Sequence, residues 1–152
     1  MLRRIAVFVL VGLVLAPAAE AARTTRSETT LLREMNRVRV ARHLAPLRFD
    51  ASLEQASRAH SREMLQSGTF AHGAFGSRML QFKVRGSLAG ENLAWGIGYQ
   101  ATAHGIVQGW LASPEHRANL LRPSFRRVGI GALVGRFSGF DGATVVTADF
   151  AG

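Results

Sequence analysis

Three residues able to take part in chemistry lie on three separate stretches of this sequence: His72, Glu91 and His116. Glu91 lies in residues 90–96 (GENLAWG), where a carboxylate is followed by apolar side chains that favour burial. Two imidazoles and a carboxylate can bind zinc and leave a fourth position for water. If it is not a ligand, the carboxylate can act as a general base on a water held through the metal. Sequence spacing alone does not establish that the three side chains meet.

The local signatures of several enzyme classes are absent from the sequence. It has no His-Glu-x-x-His helix, no Gly-x-Ser-x-Gly elbow and no phosphate-binding glycine loop. The absence of cysteine excludes thiolate catalysis and cysteine-ligated metals. Ser113 and His116 resemble part of a serine hydrolase site, but Ser113 before Pro114 is typical of a helix N-cap, and we favour the cap.

Residues 1–21 predict a secretory signal peptide. A basic start is followed by an apolar run over residues 5–16 and by small residues at the spacing of a cleavage site. The run is shorter than the ~20 residues of a membrane span, so we expect cleavage rather than an uncleaved anchor. The mature protein is then secreted or periplasmic, without a stable membrane span. Residues 22–28 form a short polar leader, and residues 29–152 form one domain.

The net charge of +9 comes almost entirely from arginine, since Lys83 is the only lysine. One interpretation is attraction to anionic envelope polymers or lipid head groups. The alternative is a solvated, arginine-rich face without a partner. Nucleic acid is not an expected partner, because the chain has one tyrosine and does not alternate basic with aromatic residues.

Apolar periodicity predicts two helices in the first half of the domain. Ser27 or Thr29 is the candidate N-cap of the first helix, and Asp50 caps the second, which ends at residues 67–68. His60 lies on the apolar stripe of the second helix, where a hydrogen-bonded core histidine is expected rather than a ligand. The face of the first helix that is predicted to meet solvent carries Arg33, Arg37 and Arg39.

Further helices are predicted over residues 78–84, from Thr102 and from Ser113. Residues 128–132 and 143–150 predict a β-hairpin, with turn residues between them. Helices thus precede strands, so the predicted fold class is α+β, with helices packed on a mostly antiparallel sheet.

Several segments of the chain carry a family resemblance in order and spacing. They are Asn36-Arg37, Leu47, Met64, Phe70-x-His72, Gly90-Glu91-Asn92-Leu93-Ala94, Trp110, Ser113-Pro114-Glu115-His116-Arg117, Asn119-Leu120-Leu121, Val128-Gly129-Ile130-Gly131 and Asp149-Phe150. From Leu31 to Phe150 the chain resembles the CAP superfamily (cysteine-rich secretory proteins, antigen 5, pathogenesis-related 1) in its bacterial, cysteine-poor SCP-like branch.

This resemblance implies a three-layer α-β-α sandwich with a central, mostly antiparallel sheet. It also implies a large cleft with two histidines and two acidic residues, which takes a divalent metal such as zinc in some members. The histidines match His72 and His116, the expected metal ligands, and the first acid matches Glu91, a further candidate ligand. The second acid falls at or beside Ser113, so this chain departs from the pattern there.

Three functions follow as hypotheses from the resemblance. The favoured one is a binding module whose cleft, with Trp95 or Tyr99 near its rim, takes an extracellular small-molecule or lipid-like ligand. The first alternative is a hydrolase in which Glu91 acts as general base on a water held through zinc by His72 and His116. The second alternative is a structural or interaction protein of the cell envelope. We favour binding over catalysis, because no activated nucleophile is evident.

Overall fold

A computed structural model describes residues 24–152, so the predicted signal peptide lies outside the described residues. This part of the chain forms helices α1 Arg26–Val40, α2 Ala51–Ser67, α3 Phe75–Gln81, α4 Ala103–Ala112 and α5 Pro114–Leu120, and strands β1 Arg48–Phe49, β2 Ala89–Gly96, β3 Arg127–Phe137 and β4 Phe140–Ala151. A short 3-10 helix, Gly98–Ala101, follows β2. No helix within residues 24–152 is long and apolar enough to cross a membrane.

The four strands form one mixed sheet in the order β1-β3-β4-β2. Strand β4 pairs antiparallel with both β2 and β3, while the two-residue β1 runs parallel to β3. The α+β class and the mostly antiparallel sheet are therefore confirmed. The predicted hairpin is also confirmed, with its turn at Ser138 and Gly139, both of which have positive φ.

Helices cover both faces of the sheet. Helix α2 packs along β3 and β4 on one face, and α1, α4 and α5 contact the sheet from the other. The larger apolar core lies under α1, α4 and α5 and includes Met35, Trp110, Phe125, Ile130 and Phe150. Smaller clusters lie beneath α2, around Met64 and around Leu53.

Two glycines of β3 let α2 approach the sheet closely. A Cβ atom on Gly129 would lie 1.9 Å from the backbone carbon of Leu53, and one on Gly131 would lie 2.5 Å from the carbonyl oxygen of Ser57. Both distances are shorter than any non-bonded contact, and the atoms concerned belong to the helix backbone. Glycine at these positions therefore sets the distance between α2 and the sheet.

Helix α1 begins earlier than the sequence predicts. Thr25 is its N-cap, and a capping box joins the Thr25 hydroxyl to the Glu28 amide while the Glu28 carboxylate accepts from the Thr25 amide. The predicted caps, Ser27 and Thr29, are wrong, and residues 26–28 of the predicted leader are helical. Glu28 is also held by Arg58 of α2 through two hydrogen bonds of 2.8 and 2.6 Å. Burial alone would raise the pKa of Glu28, but these hydrogen bonds outweigh it and hold that pKa below its ordinary value.

Arg39 is buried, although its position on α1 predicted solvent exposure. Its guanidinium donates hydrogen bonds to the backbone oxygens of Ala45, Leu120, Arg122 and Phe125. Arg39 thus satisfies the oxygen of Leu120, the last residue of α5, and joins α1 to the end of α5 and to the segment that follows it.

The predicted boundaries of the other helices differ in accuracy. Helix α2 has the predicted N-cap at Asp50 and ends at Gly68, which has φ of 70°. Helix α4 has the predicted cap, the hydroxyl of Thr102. The short helix predicted over residues 78–84 is displaced: α3 covers Phe75–Gln81, and Lys83, with φ of 54°, cannot continue it.

Candidate functional site

Residues 90–96, which contain the predicted carboxylate, form strand β2. Glu91 is aligned with Asp149 of β4 in the antiparallel register. Because side chains alternate across a strand, Glu91 and Asn92 face opposite sides of the sheet. Asn92 is tied to α5, since its amide donates to the backbone oxygen of His116 at 2.9 Å.

Both carboxylate oxygens of Glu91 have partners, and its side chain is almost fully buried. The Nδ1 atom of His72 donates to Oε1 at 2.6 Å, and the Arg78 guanidinium donates to Oε2. The Nε2 atom of His60 lies 3.8 Å from Oε2. The structure therefore brings the predicted residues His72 and Glu91 together. We name His60, His72, Arg78, Glu91 and Asp149 the Glu91 cluster.

Asp149 is the second acidic side chain of this cluster, and it is fully buried. Its Oδ2 atom accepts from the Ser57 hydroxyl at 2.9 Å, and its Oδ1 atom lies 3.8 Å from the Arg78 guanidinium. Oδ1 has no hydrogen-bond partner among the described residues. Burial, followed by the negative charge of Glu91, raises the pKa of Asp149 from 3.8 to about 8. In its protonated form, Asp149 can donate a hydrogen bond toward Glu91.

His60 is a hydrogen-bonded core residue, as predicted. It is 2% exposed, its Nε2 atom lies 2.9 Å from the Ala71 oxygen, and its Nδ1 atom lies 3.2 Å from the Glu63 carboxylate. His60 also borders Glu91, so it is both a core residue and part of the Glu91 cluster.

His116, the second predicted histidine, approaches the cluster from α5 without bonding to Glu91. Burial, together with the nearby charge of His72, lowers the pKa of His116 below its ordinary value. At neutral pH its imidazole is uncharged and able to form ordinary hydrogen bonds. Ser113 occupies the predicted N-cap position of α5, but its side chain makes no capping hydrogen bond.

An aromatic groove of about 540 Å³ opens beside His116. Its lining residues include Phe70, Trp95, Ile97, Trp110, His116 and Phe140. Trp95 packs against Phe140 with ring centroids 6.1 Å apart, while Phe70, Ile97 and Phe140 are each at least 40% exposed. Of the two predicted rim residues, Trp95 lines this groove and Tyr99 does not. The groove therefore offers an apolar surface to solvent next to an uncharged imidazole.

The Glu91 cluster does not fit the divalent metal that the resemblance implies. The carboxylate oxygen of Glu91 that faces the interior is already bonded to a guanidinium, which also borders Asp149. Within residues 24–152, no three His, Asp or Glu side chains are placed to hold a metal ion. A cation bonded to Glu91 would lie against the positive charge of Arg78.

Sequence reasoning missed both Arg78 and Asp149. Arg78 is one arginine among many, and nothing in its immediate sequence indicates burial. Asp149 did carry a signal. It is the only charged residue in residues 145–151, which are otherwise apolar except for Thr147. A charged residue at such a position requires a partner or a proton.

The chain is similar to proteins of known sequence over most of its length. The sequence model of the cysteine-rich secretory protein family, CAP, matches residues 32–150. The uncharacterized protein YkwD of Bacillus subtilis is 35% identical over 130 residues, which cover 76% of this chain and 49% of YkwD. This chain thus spans about half the length of that relative.

Solved structures share the fold. An extracellular protein containing an SCP domain from Bacillus anthracis gives a TM-score of 0.65 at 29% identity, over 81% of this chain and 39% of that one. An outer surface protein of Borrelia burgdorferi gives a TM-score of 0.71 at 23% identity, over 84% of this chain and 93% of that one. Together with the family match over residues 32–150, these similarities identify the protein, despite its lack of cysteine, as a member of the cysteine-rich secretory protein (CAP) family.

Proposed function

We propose that this CAP domain is an extracellular binding module whose aromatic groove takes the apolar part of a lipid-like ligand. The observation that carries the proposal is the groove of about 540 Å³ beside His116, with three apolar side chains held partly exposed. Exposed apolar surface of this kind typically marks a binding site. A volume of this size is within the range of small-molecule pockets.

The neighbouring imidazoles define the polar end of the ligand. His116 is uncharged at neutral pH because its pKa is lowered, so it favours a hydrogen-bonding group over an anion. His72 lies close enough for its charge to affect His116, and its side chain is 59% exposed. An acyl chain with a hydroxyl or ester head group combines these two requirements.

A secreted or periplasmic location supports this function. The residues at the start of the sequence have the pattern of a secretory signal, and the similar Bacillus anthracis structure is described as extracellular. The net charge of +9 adds attraction for anionic envelope polymers, which would hold the domain near a cell surface.

Ligand capture can be measured by tryptophan fluorescence, because Trp95 and Trp110 are the only two tryptophans and both line the groove. A monoacylglycerol brominated in its chain should quench this fluorescence saturably, whereas the unbrominated lipid should not. Replacement Phe140→Ser should weaken binding about tenfold or more, since one buried phenylalanine contributes roughly 1.5–3 kcal/mol.

The matched control is Leu80→Ser. Leu80 is an 81% exposed apolar residue on α3 that is not among the groove residues. This variant should bind the brominated lipid like the wild type. Equal quenching of the wild type and Phe140→Ser, or an absence of quenching in both, contradicts the proposed function.

A hydrolase is the second candidate, and the contact between His72 and Glu91 favours it. A carboxylate bonded to one imidazole nitrogen orients the ring and leaves the other nitrogen available as a general base. If turnover of an ester or envelope polymer is found, Glu91→Gln should reduce kcat about 100-fold or more, because the imidazole that acts as base loses the carboxylate that orients it. Turnover by Glu91→Gln at the wild-type rate would exclude this mechanism.

A further inference from the structure

Arg78 places a fixed positive charge at the centre of the Glu91 cluster. Its guanidinium donates to the Glu91 carboxylate and lies 3.8 Å from Asp149 Oδ1. The same group donates to the backbone oxygen of His72 at 3.4 Å. One guanidinium therefore contacts or borders both acidic residues and the loop that carries the exposed histidine.

The surroundings of Arg78 hold it in this position. Its side chain is 8% exposed, and its guanidinium carbon lies 5.6 Å from the centre of the Phe75 ring. Phe75 and Arg78 both belong to α3, which packs against α2. A buried guanidinium that packs on an aromatic ring and bonds to a carboxylate is held in the interior and does not move out into solvent.

The positive charge of Arg78 balances the negative charge of Glu91 within the cluster. The Glu91 carboxylate carries one negative charge and accepts hydrogen bonds from His72 and Arg78. Arg78 supplies a full positive charge within hydrogen-bonding distance of it. The guanidinium contacts Glu91 and borders Asp149, and the imidazoles of His60 and His72 lie against Glu91. Imidazole and carboxylate are residue types that bind divalent cations elsewhere. The Arg78 guanidinium is already bonded to Oε2 of Glu91, the carboxylate oxygen that such a cation would need.

We infer that Arg78 is the resident cation of this site and that the cluster is complete without a metal ion. Glu91 and Asp149 then serve to hold Arg78, and Glu91 also orients the exposed His72. A divalent ion would bind only after removal of the guanidinium, because two positive charges a few ångströms apart repel strongly in a buried site.

Zinc titration of the mature domain by calorimetry tests this inference. The wild type and His72→Ala should give equal heats, without saturable binding. Arg78→Ala should bind zinc saturably, with an affinity at least about tenfold above the detection limit at which the wild type shows no binding, because a nearby positive charge is lost. The gain should disappear when Glu91→Gln is added to Arg78→Ala. Arg62→Ala, which removes an exposed arginine on α2, is the control and should gain no affinity.

Two outcomes would overturn the inference. The first is saturable zinc binding by the wild type that is lost in His72→Ala. The second is a folded Arg78→Ala protein whose zinc affinity equals that of the wild type. If Arg78→Ala does not fold, the comparison between the wild type and His72→Ala decides the matter without it. Neither outcome depends on lipid binding in the aromatic groove.

Discussion

Replacing Asp149 by asparagine is expected to raise the melting temperature of the domain at pH 8 and to raise it by less at pH 5. Asparagine resembles the protonated acid in shape and can donate a hydrogen bond toward Glu91. At pH 8 we expect a gain of at least about 3 °C, since roughly 1 kcal/mol shifts a domain of this size by that amount. Thermal unfolding followed by circular dichroism at both pH values measures the difference.

The direction of the pH effect follows from proton binding. The pKa of Asp149 is raised from 3.8 to about 8 in the folded protein. Between these values the folded state holds a proton that the unfolded state has released, so the contribution to stability falls as pH rises. That contribution is fully present below pH 3.8 and is lost as pH passes through about 8.

Asp141→Asn is the matched control. Asp141 has an 80% exposed side chain on the β3–β4 hairpin, where it pairs with Arg136. This substitution should change stability little and equally at both pH values. A large loss of stability in Asp149→Asn at pH 5 would mean that Asp149 is ionised there and pairs with Arg78, which contradicts the prediction.

Gly129→Ala is expected to destabilise the domain by about 3 kcal/mol or more, the upper part of the range for overpacked cores. The added Cβ would lie 1.9 Å from the Leu53 backbone carbon and 2.3 Å from the Glu54 amide nitrogen. Helix α2 must move away from the sheet to make room, because backbone atoms cannot rotate aside. Urea unfolding at equilibrium measures the loss.

Gly135→Ala provides the control on the same strand. There the added Cβ would be 3.1 Å from a methyl group of Leu65, the end of a flexible side chain that can move. A cost below about 1 kcal/mol is expected for Gly135→Ala. Similar costs for the two substitutions would show that α2 adapts its position, contrary to the close packing described here.

Much of the fold was predictable because local chemistry marked it. Asp50 and Gly68 delimit α2, Thr102 begins α4, and turn residues mark the hairpin. Strand β2 was not predicted. Helices cover both faces of the sheet, so three consecutive residues of β2, Glu91 to Leu93, are buried and do not alternate between buried and exposed.

The candidate site was predictable only in part. Spacing and resemblance led to His72 and Glu91, which are in contact, and to His116, which lies beside them. The second acid was sought near Ser113, in the sequence neighbourhood of His116. The acidic residue that the structure places beside Glu91 is Asp149, brought there by strand pairing between segments far apart in the sequence. Such pairing has no local signature, and the same holds for Arg39 and Arg78, whose burial depends on tertiary contacts.

The central position of β4 has a consequence for the order of folding. Strands β2 and β3 both pair with β4 and not with each other, so neither has its full set of partners before residues 140–151 are available. A chain synthesised from its N-terminus would therefore expose unpaired strands until this segment emerges. Strands β2 and β4 are far apart in the sequence, so their pairing is slow, which keeps the chain open for longer.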